Sequence, residues 1–304
     1  NGFRLIVVVT LLGMIFLSAC NLPVKLPAGI SQKSTDTSEP PPDAEKETNL
    51  KPETQEENKS ATPTPTGDTD CLKFVEGGKF IMGSQENDPE AKPDEQPQHN
   101  VYISPFWIYK NEVSNGLYAE CVKAGACTPP VVQAEGPSSH YNDPNYKDWP
   151  VVGVTWYQAQ AYCTYAQARL PTEAEWEKAA RGTDAEYFPW GNNDPKCDLL
   201  LNMEGCKVNK KSNEDDTQKV GTYIAGQSQY EVLDMAGNVR EWVADWYAKD
   251  YYLTSSLSNP LGPSGPPVNK EKVIRGGGWM DAAANVRSPV RFMSLPEKTY
   301  EDVG

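Results

Sequence analysis

Between Tyr187 and Tyr230 the chain shows no periodic apolar pattern, only the run Leu199, Leu200, Leu201 set among Asn, Asp, Gly and Lys. A stretch this long without helix or strand signals is uncommon inside a compact domain, where it is either functional or held by a staple. The fold must therefore be loop-rich, with disulfides or a metal ion supplying constraint that regular elements do not. Cysteines are at hand. Cys197 and Cys206 stand close in sequence and form a natural local pair, as do Cys121 and Cys127. Closing loops this short contributes roughly 2–3 kcal/mol each on the chain-entropy account. Cys71 and Cys163 are then left to pair by elimination, although six cysteines admit many connectivities. No paired C-x-x-C spacing argues for zinc.

Regular elements gather on either side of that stretch. Phe74 to Gly83 reads as two short strands around a Gly-Gly turn, and Val101–Ile103 and Phe106–Ile108 as further strand pieces. Ser114 can cap a helix with Leu117, Tyr118, Cys121 and Val122 on one face and Gly125 at its end. Thr155 can cap a second helix carrying Trp156, Ala159, Tyr162, Cys163 and Ala166. Thr172 with Glu175 makes a capping box for a third, with Trp176 and Ala180 facing inward before Gly182. Near the end, Lys272–Arg275 reads as a strand entering Gly276-Gly277-Gly278.

The first seventy residues are of another kind. Arg4 precedes an apolar run from Leu5 to Leu17, which has the length of a signal-peptide core and is short for a membrane span. It ends Leu17-Ser18-Ala19-Cys20, the pattern of a bacterial lipobox. Cleavage before Cys20 and acylation of its thiol would anchor the chain to a membrane, more than one acyl chain making the anchor lasting. Residues 21–70 are rich in Pro, Ser, Thr, Glu and Lys; such a segment buries too little apolar surface to offset its ordering entropy, and is expected to be a disordered tether. The expected organisation is thus a signal with lipobox over 1–20, a linker over 21–70 and one domain over 71–304, in an extracytoplasmic lipoprotein. The net charge of −14 argues against nucleic acid as a partner. Export also fits disulfides, which persist in oxidising compartments.

Familiar catalytic patterns are absent. There is no G-x-S-x-G and no G-x-x-x-x-G-K, and the triple glycine lacks the flanking pattern of a dinucleotide loop. The two histidines, His99 and His140, are far apart in sequence. The segment Leu233 to Trp242 is richer: Asp234 and Glu241 offer carboxylates, and the turn Ala236-Gly237-Asn238 can aim backbone carbonyls inward. Calcium takes six to eight hard oxygens from such a mixture. A structural turn leading into a capped helix is the competing reading.

Four stretches in order carry a family resemblance: Trp149 to Trp156, Arg169 to Gly182, Pro189-Trp190-Gly191-Asn192, and Asp234 to Trp242, followed by Arg275 to Met280. Together they resemble the formylglycine-generating enzymes, or sulfatase-modifying factors. The resemblance implies a single compact mixed α/β (α+β) domain, related to C-type lectins, with little regular secondary structure. It implies a structural calcium held by the side chains of Asp234 and Glu241 and the carbonyls of Gly237 and Val239. A second, looser calcium site would fall on Asn202, the Met203 carbonyl, and Asp215 or Asp216. The family's pattern runs on past Val303-Gly304 through Phe-Arg, often to a cysteine, which offers Cys163 a different partner.

The departures bear on function. The oxidases of the family carry two active cysteines where this chain has Asp281 and Val286, and a supporting serine where it has Gly278. Cu(I) is held there by the thiolate pair, and an aspartate with a valine supplies no such soft ligands. The expectation is a chain without copper and without cysteine-oxidase activity. Iron-dependent relatives of ergothioneine synthesis need histidines that this chain lacks. Three roles follow. One is a binding or accessory module for a peptide or glycan, using some of the 8 Trp and 15 Tyr. Another is an enzyme of a different type whose cleft gathers Asp281 with Arg275, Arg287 and Arg291. The last is a purely structural envelope protein.

Overall fold

The computed structural model describes residues 71–133, 135–199 and 217–304. The expected anchor cysteine Cys20, the expected linker over 21–70, Cys206 and the expected second calcium set (Asn202, Met203, Asp215, Asp216) lie outside the described residues. No described helix is long and apolar enough to cross a membrane.

Two short strands, β1 (Leu72–Val75) and β2 (Gly78–Met82), form around the expected glycine pair, the second glycine opening β2, yet they do not pair with each other. β2 runs antiparallel to β3 (His99–Ile103), and β1 antiparallel to β4 (Phe106–Tyr109). Their register shows why: Val75 faces Phe106 and Gly78 faces Ile103, so the two strand pairs are successive parts of one antiparallel ladder, interrupted where Gly77 packs on Pro105 (a Cβ on Gly77 would stand 2.7 Å from Pro105 Cδ).

The three expected helices are present with their expected caps. Ser114 accepts from Leu117 N to start α1 (Asn115–Lys123). Thr155 and Gln158 box the start of α2 (Trp156–Tyr165). Thr172 Oγ1 accepts from Glu175 N while Glu175 Oε2 accepts from Thr172 N at the start of α3 (Glu173–Arg181). α3 differs from the expected one-sided helix, because every one of its residues is buried. Its charged side chains tolerate this because each is partnered: Lys178 Nζ donates to the carbonyls of Glu76 and Gly78, and Arg181 to Glu177 and the Gly83 carbonyl.

The expected strand before the triple glycine is β6 (Lys272–Arg275). It is the middle of a three-stranded antiparallel sheet with β5 (Glu241–Trp246) and β7 (Phe292–Ser294). β5 corrects the helix expected after the Asp234–Trp242 turn: the turn feeds a strand instead, with a register irregularity between Trp242 and Trp246. Two main apolar clusters meet on this sheet. Trp242 and Ile274 pack with α1 and α2 through Tyr118, Trp156 and Tyr162. Val243 and Val273 pack with Trp176, Ala179 and Ala180 of α3.

Candidate functional site

The turn entering β5 is stitched from several directions. Asp234 and Asn238 both adopt positive φ (60° and 63°), a conformation Asn and Asp accept more readily than other non-glycine residues. Asp234 Oδ2 accepts from Gly221 N at 2.5 Å. Glu241 Oε2 accepts from the Trp176 indole at 3.0 Å. A third carboxylate, not singled out from the sequence, completes the group. Glu112, in the corner between β4 and α1, accepts from Val239 N at 3.0 Å and from Asn238 Nδ2 at 2.6 Å. Its signal in the sequence was an acid two residues before a helix cap, which reads as ordinary.

Glu112 and Asp234 are buried and Glu241 half-buried, and the three carboxyls are electrostatically linked. Burial pushes Asp234 up to about 6 and Glu241 up to about 7, with Asp234 adding to the rise of Glu241. Burial also raises Glu112 well above the usual range, and repulsion from Asp234 and Glu241 adds to it. Among the described residues no Lys or Arg forms an ion pair with Glu112, Asp234 or Glu241. Buried charge without a counter-charge is costly and calls for a cation or a proton.

The backbone supplies the remaining oxygens. The Asn238 carbonyl accepts from Trp279 N and the Arg240 carbonyl from Gly304 N, whereas among the described residues nothing donates to the carbonyls of Gly237 or Val239. Two side-chain oxygens and two open carbonyls alternate along one turn, and this donor set fits a hard divalent ion. Among the described residues no three His, Cys, Asp or Glu side chains come together closely enough to hold a metal by themselves, so an ion at this turn must draw on those carbonyls.

The region after the triple glycine departs from expectation. Asp281 does not meet Arg275, Arg287 or Arg291. It forms a bidentate pair with Arg240 (2.9 and 2.7 Å) and accepts from Gly278 N at 2.8 Å. Arg240 also holds Asp302 at 2.9 Å and lies over the Phe292 ring. The other arginines are drawn away by acids remote in sequence. Arg275 binds Glu173 and Glu177 at 2.8 and 2.6 Å, Arg291 chelates Glu173 at 2.7 and 2.9 Å, and Arg287 reaches Glu95 at 3.2 and 3.3 Å. Val286 is fully buried against Phe188 and Ala236, and its Cγ1 stands 2.6 Å from where a Cβ on Gly277 would lie. Of the two positions that the resemblance matches to the family's active cysteines, Val286 is thus a packed core residue and Asp281 a braced carboxylate. The two histidines are equally apart in their settings, His99 against Tyr252 and His140 stacked on Tyr146.

Cys121 and Cys127 are bonded, with Cα atoms 5.3 Å apart. The pairing of Cys71 with Cys163 is incorrect: Cys71 is in a disulfide, and Cys163 is a free, buried thiol. Elimination assumed that every thiol of the domain would find another. Cys163 instead lines an apolar cavity of about 380 Å³, whose wall also includes Tyr162, Trp242, Glu112, Glu241 and Gly304. Cys197 is also disulfide-bonded.

The fold and these motifs define a class, the mixed α/β scaffold of the formylglycine-generating enzymes. The chain belongs to the sulfatase-modifying factor enzyme 1-like domain family (FGE-sulfatase), whose model matches residues 57–304. It is 35% identical over 251 residues to the formylglycine-generating enzyme of Thermomonospora curvata, covering 68% of this chain and 81% of that protein. It is 31% identical over 262 residues to the serine/threonine-protein kinase pkn1 of Chlamydia caviae, covering 80% of this chain but only 38% of the kinase. Among solved structures, PvdO from Pseudomonas aeruginosa shares the fold, with a TM-score of 0.60 at 24% identity, over 77% of this chain and 91% of that one.

Proposed function

We propose that this chain is an extracytoplasmic binding or accessory module on the formylglycine-generating scaffold, without cysteine-oxidase chemistry, held to a membrane through Cys20. The observation that carries the reading is the state of the two former cysteine positions. Asp281 spends its carboxylate on Arg240 and the Gly278 amide, and Val286 is sealed in the core. Neither offers a thiolate for copper.

The shell would be braced by calcium at Asp234, Glu241 and the Gly237 and Val239 carbonyls. The ion would supply charge compensation for buried carboxylates and fix the turn that feeds β5; it has no reacting role. The residues do the rest: Trp176 orients Glu241, and Gly221 orients Asp234.

A peptide or glycan is the class of ligand this reading favours. Half-exposed rings such as Tyr102, Tyr157 and Tyr300 leave aromatic faces in solvent, where they suit sugars and peptide side chains. The deciding experiment incubates the protein with copper and a C-x-P-x-R peptide and follows formylglycine by mass spectrometry. No conversion is expected, while glycan and peptide arrays probed with the same preparation should give binders lost on replacing exposed tyrosines. Turnover of the peptide cysteine would reject the reading.

A further inference from the structure

Among the described residues the exposed leucines are Leu253, Leu257 and Leu261, and all of them lie on one surface strap, residues 251–268, with Val268 at its end. They are 69%, 72% and 71% exposed, and Val268 is 99% exposed. Looseness does not explain this, because the strap is seated along its length. Tyr252 is buried in a cluster with Phe80 and Met82. Tyr102 N of β3 donates to the Leu257 carbonyl at 2.8 Å, and Asn259 N donates back to the Tyr102 carbonyl at 2.8 Å. Asn259 also holds Ser104 twice, its Oδ1 accepting from Ser104 N and its Nδ2 donating to Ser104 Oγ. Pro260 is buried, and Gly262, at φ 74°, packs so closely on Asp245 that a Cβ there would stand 2.9 Å from that side chain. A fixed backbone therefore turns these apolar side chains to the outside.

The charge pattern says what the strap meets. The chain carries 42 Asp and Glu and 28 Lys and Arg, yet none stands between Thr254 and Asn269. The nearest, Lys249 with Asp250 and Lys270 with Glu271, are balanced pairs at its two feet. A protein partner is met by aromatic and arginine anchors inside a polar rim, and Leu, Ser, Thr and Val are scarce among such anchors. From Leu253 to Val268 the strap offers only Leu, Val, Ser, Thr, Asn, Pro and Gly. A lipid surface asks for this composition: apolar side chains, no charge, and few backbone donors to strand without water. Pro260, Pro263, Pro266 and Pro267 bring no N–H at all. The net charge of −14 opposes approach to anionic lipid, which leaves a charge-free loop as the part suited to contact. We propose that the strap is a lipid-contacting surface: its leucines and Val268 enter the boundary between headgroups and acyl chains of a bilayer and fix which face of the domain meets it.

The test places the full chain on phosphatidylcholine vesicles with a tryptophan reporter at Leu257→Trp and, as a control, at Ile224→Trp, both exposed positions. Lipids brominated along the acyl chain should quench the emission added at 257 by roughly half or more, since an apolar face that lies in this boundary sits about 5–10 Å deep. The emission added at 224 should be unaffected. Quenching at 257 should be the same in about 0.1 and 1 M salt, because the strap has no charge to screen. Adding Leu253→Ser and Leu261→Ser to the reporter chain removes most of the apolar area and should relieve the quenching at least roughly two-fold. With the chain on the vesicles, quenching at 257 no greater than at 224, or quenching abolished by salt, overturns the proposal and leaves the anchor at Cys20 standing. A reporter already blue-shifted without vesicles, in a chain that sediments as a dimer, overturns it in favour of a second copy on the strap. A full chain that stays in the aqueous phase overturns both the strap and the anchor.

Discussion

The indole N–H of Trp176 donates to Glu241 Oε2 at 3.0 Å, joining α3 to the first residue of β5 at the end of the Asp234–Glu241 turn. Trp176 is buried and Glu241 half-buried, and among the described residues no arginine or lysine forms an ion pair with this carboxylate. Calcium should therefore stabilise the fold as a ligand of the native state alone. At a free concentration about a hundred times its dissociation constant, the gain is about 2.7 kcal/mol. Thermal unfolding with calcium against a chelator should show a shift in Tm that Asp234→Asn and Glu241→Gln each largely remove. Equal Tm in both buffers would show that the turn stands without an ion.

Glu173 chelates Arg291 and also binds Arg275, so one carboxylate satisfies two buried guanidinium groups. Glu173→Ala leaves Arg291 without its carboxylate and takes from Arg275 one of its two, Glu177 remaining. Breaking a buried pair in this way costs about 3–5 kcal/mol, a large share of the roughly 5–15 kcal/mol that holds an ordinary domain folded. The variant is expected to be insoluble or to lose its cooperative urea transition. A soluble variant with an unchanged midpoint would mean that Glu177 and water compensate.

How far the sequence reached can be judged at these same residues. The caps at Ser114, Thr155 and Thr172 were legible because capping depends on neighbours within one turn. The pair Cys121–Cys127 was legible for the same reason. Partners far apart in the chain were not. Glu173 and Arg291, Asp281 and Arg240, and Glu112 and Val239 meet only because the fold brings distant loops together, and no spacing rule encodes that. The Asp234–Glu241 turn was readable as a cluster of oxygens. Its third carboxylate and the strand that follows were not, since β5 is set by burial between two apolar clusters rather than by alternation.

Asp245 gives a pH dependence of definite sign. Burial first, then repulsion from Glu173, raises its carboxyl to about 7, against 3.8 for an ordinary aspartate. The folded state therefore holds this proton more tightly than the unfolded chain does. Its contribution favours folding below about pH 4 and is lost as the pH rises toward 7, so this group opposes folding at neutral pH. Asp245→Asn keeps an oxygen to accept from Glu173 N and removes the charge. The variant should be more stable than wild type at pH 8, by more than about 1 kcal/mol given about 1.4 kcal/mol for each pH unit between the two pKa values. That advantage should vanish near pH 4. Urea midpoints measured across that range check it, and a constant difference would show that Asp245 does not titrate there.

Cys163 gives the last prediction. Its thiol is buried on the wall of the apolar cavity, and burial pushes it up to about 12, so at neutral pH almost none is thiolate, the form that reacts. In the native protein it should resist a charged alkylating reagent for hours and react promptly once urea unfolds the chain. A small apolar maleimide should behave in the same way unless the cavity admits it from solvent, in which case it alone will label the folded protein. Mass spectrometry of the peptide spanning α2 separates these outcomes. Rapid native labelling by the charged reagent would mean that the thiol faces water, and that the packing of Tyr162 and Trp242 around it is looser than the structure has it.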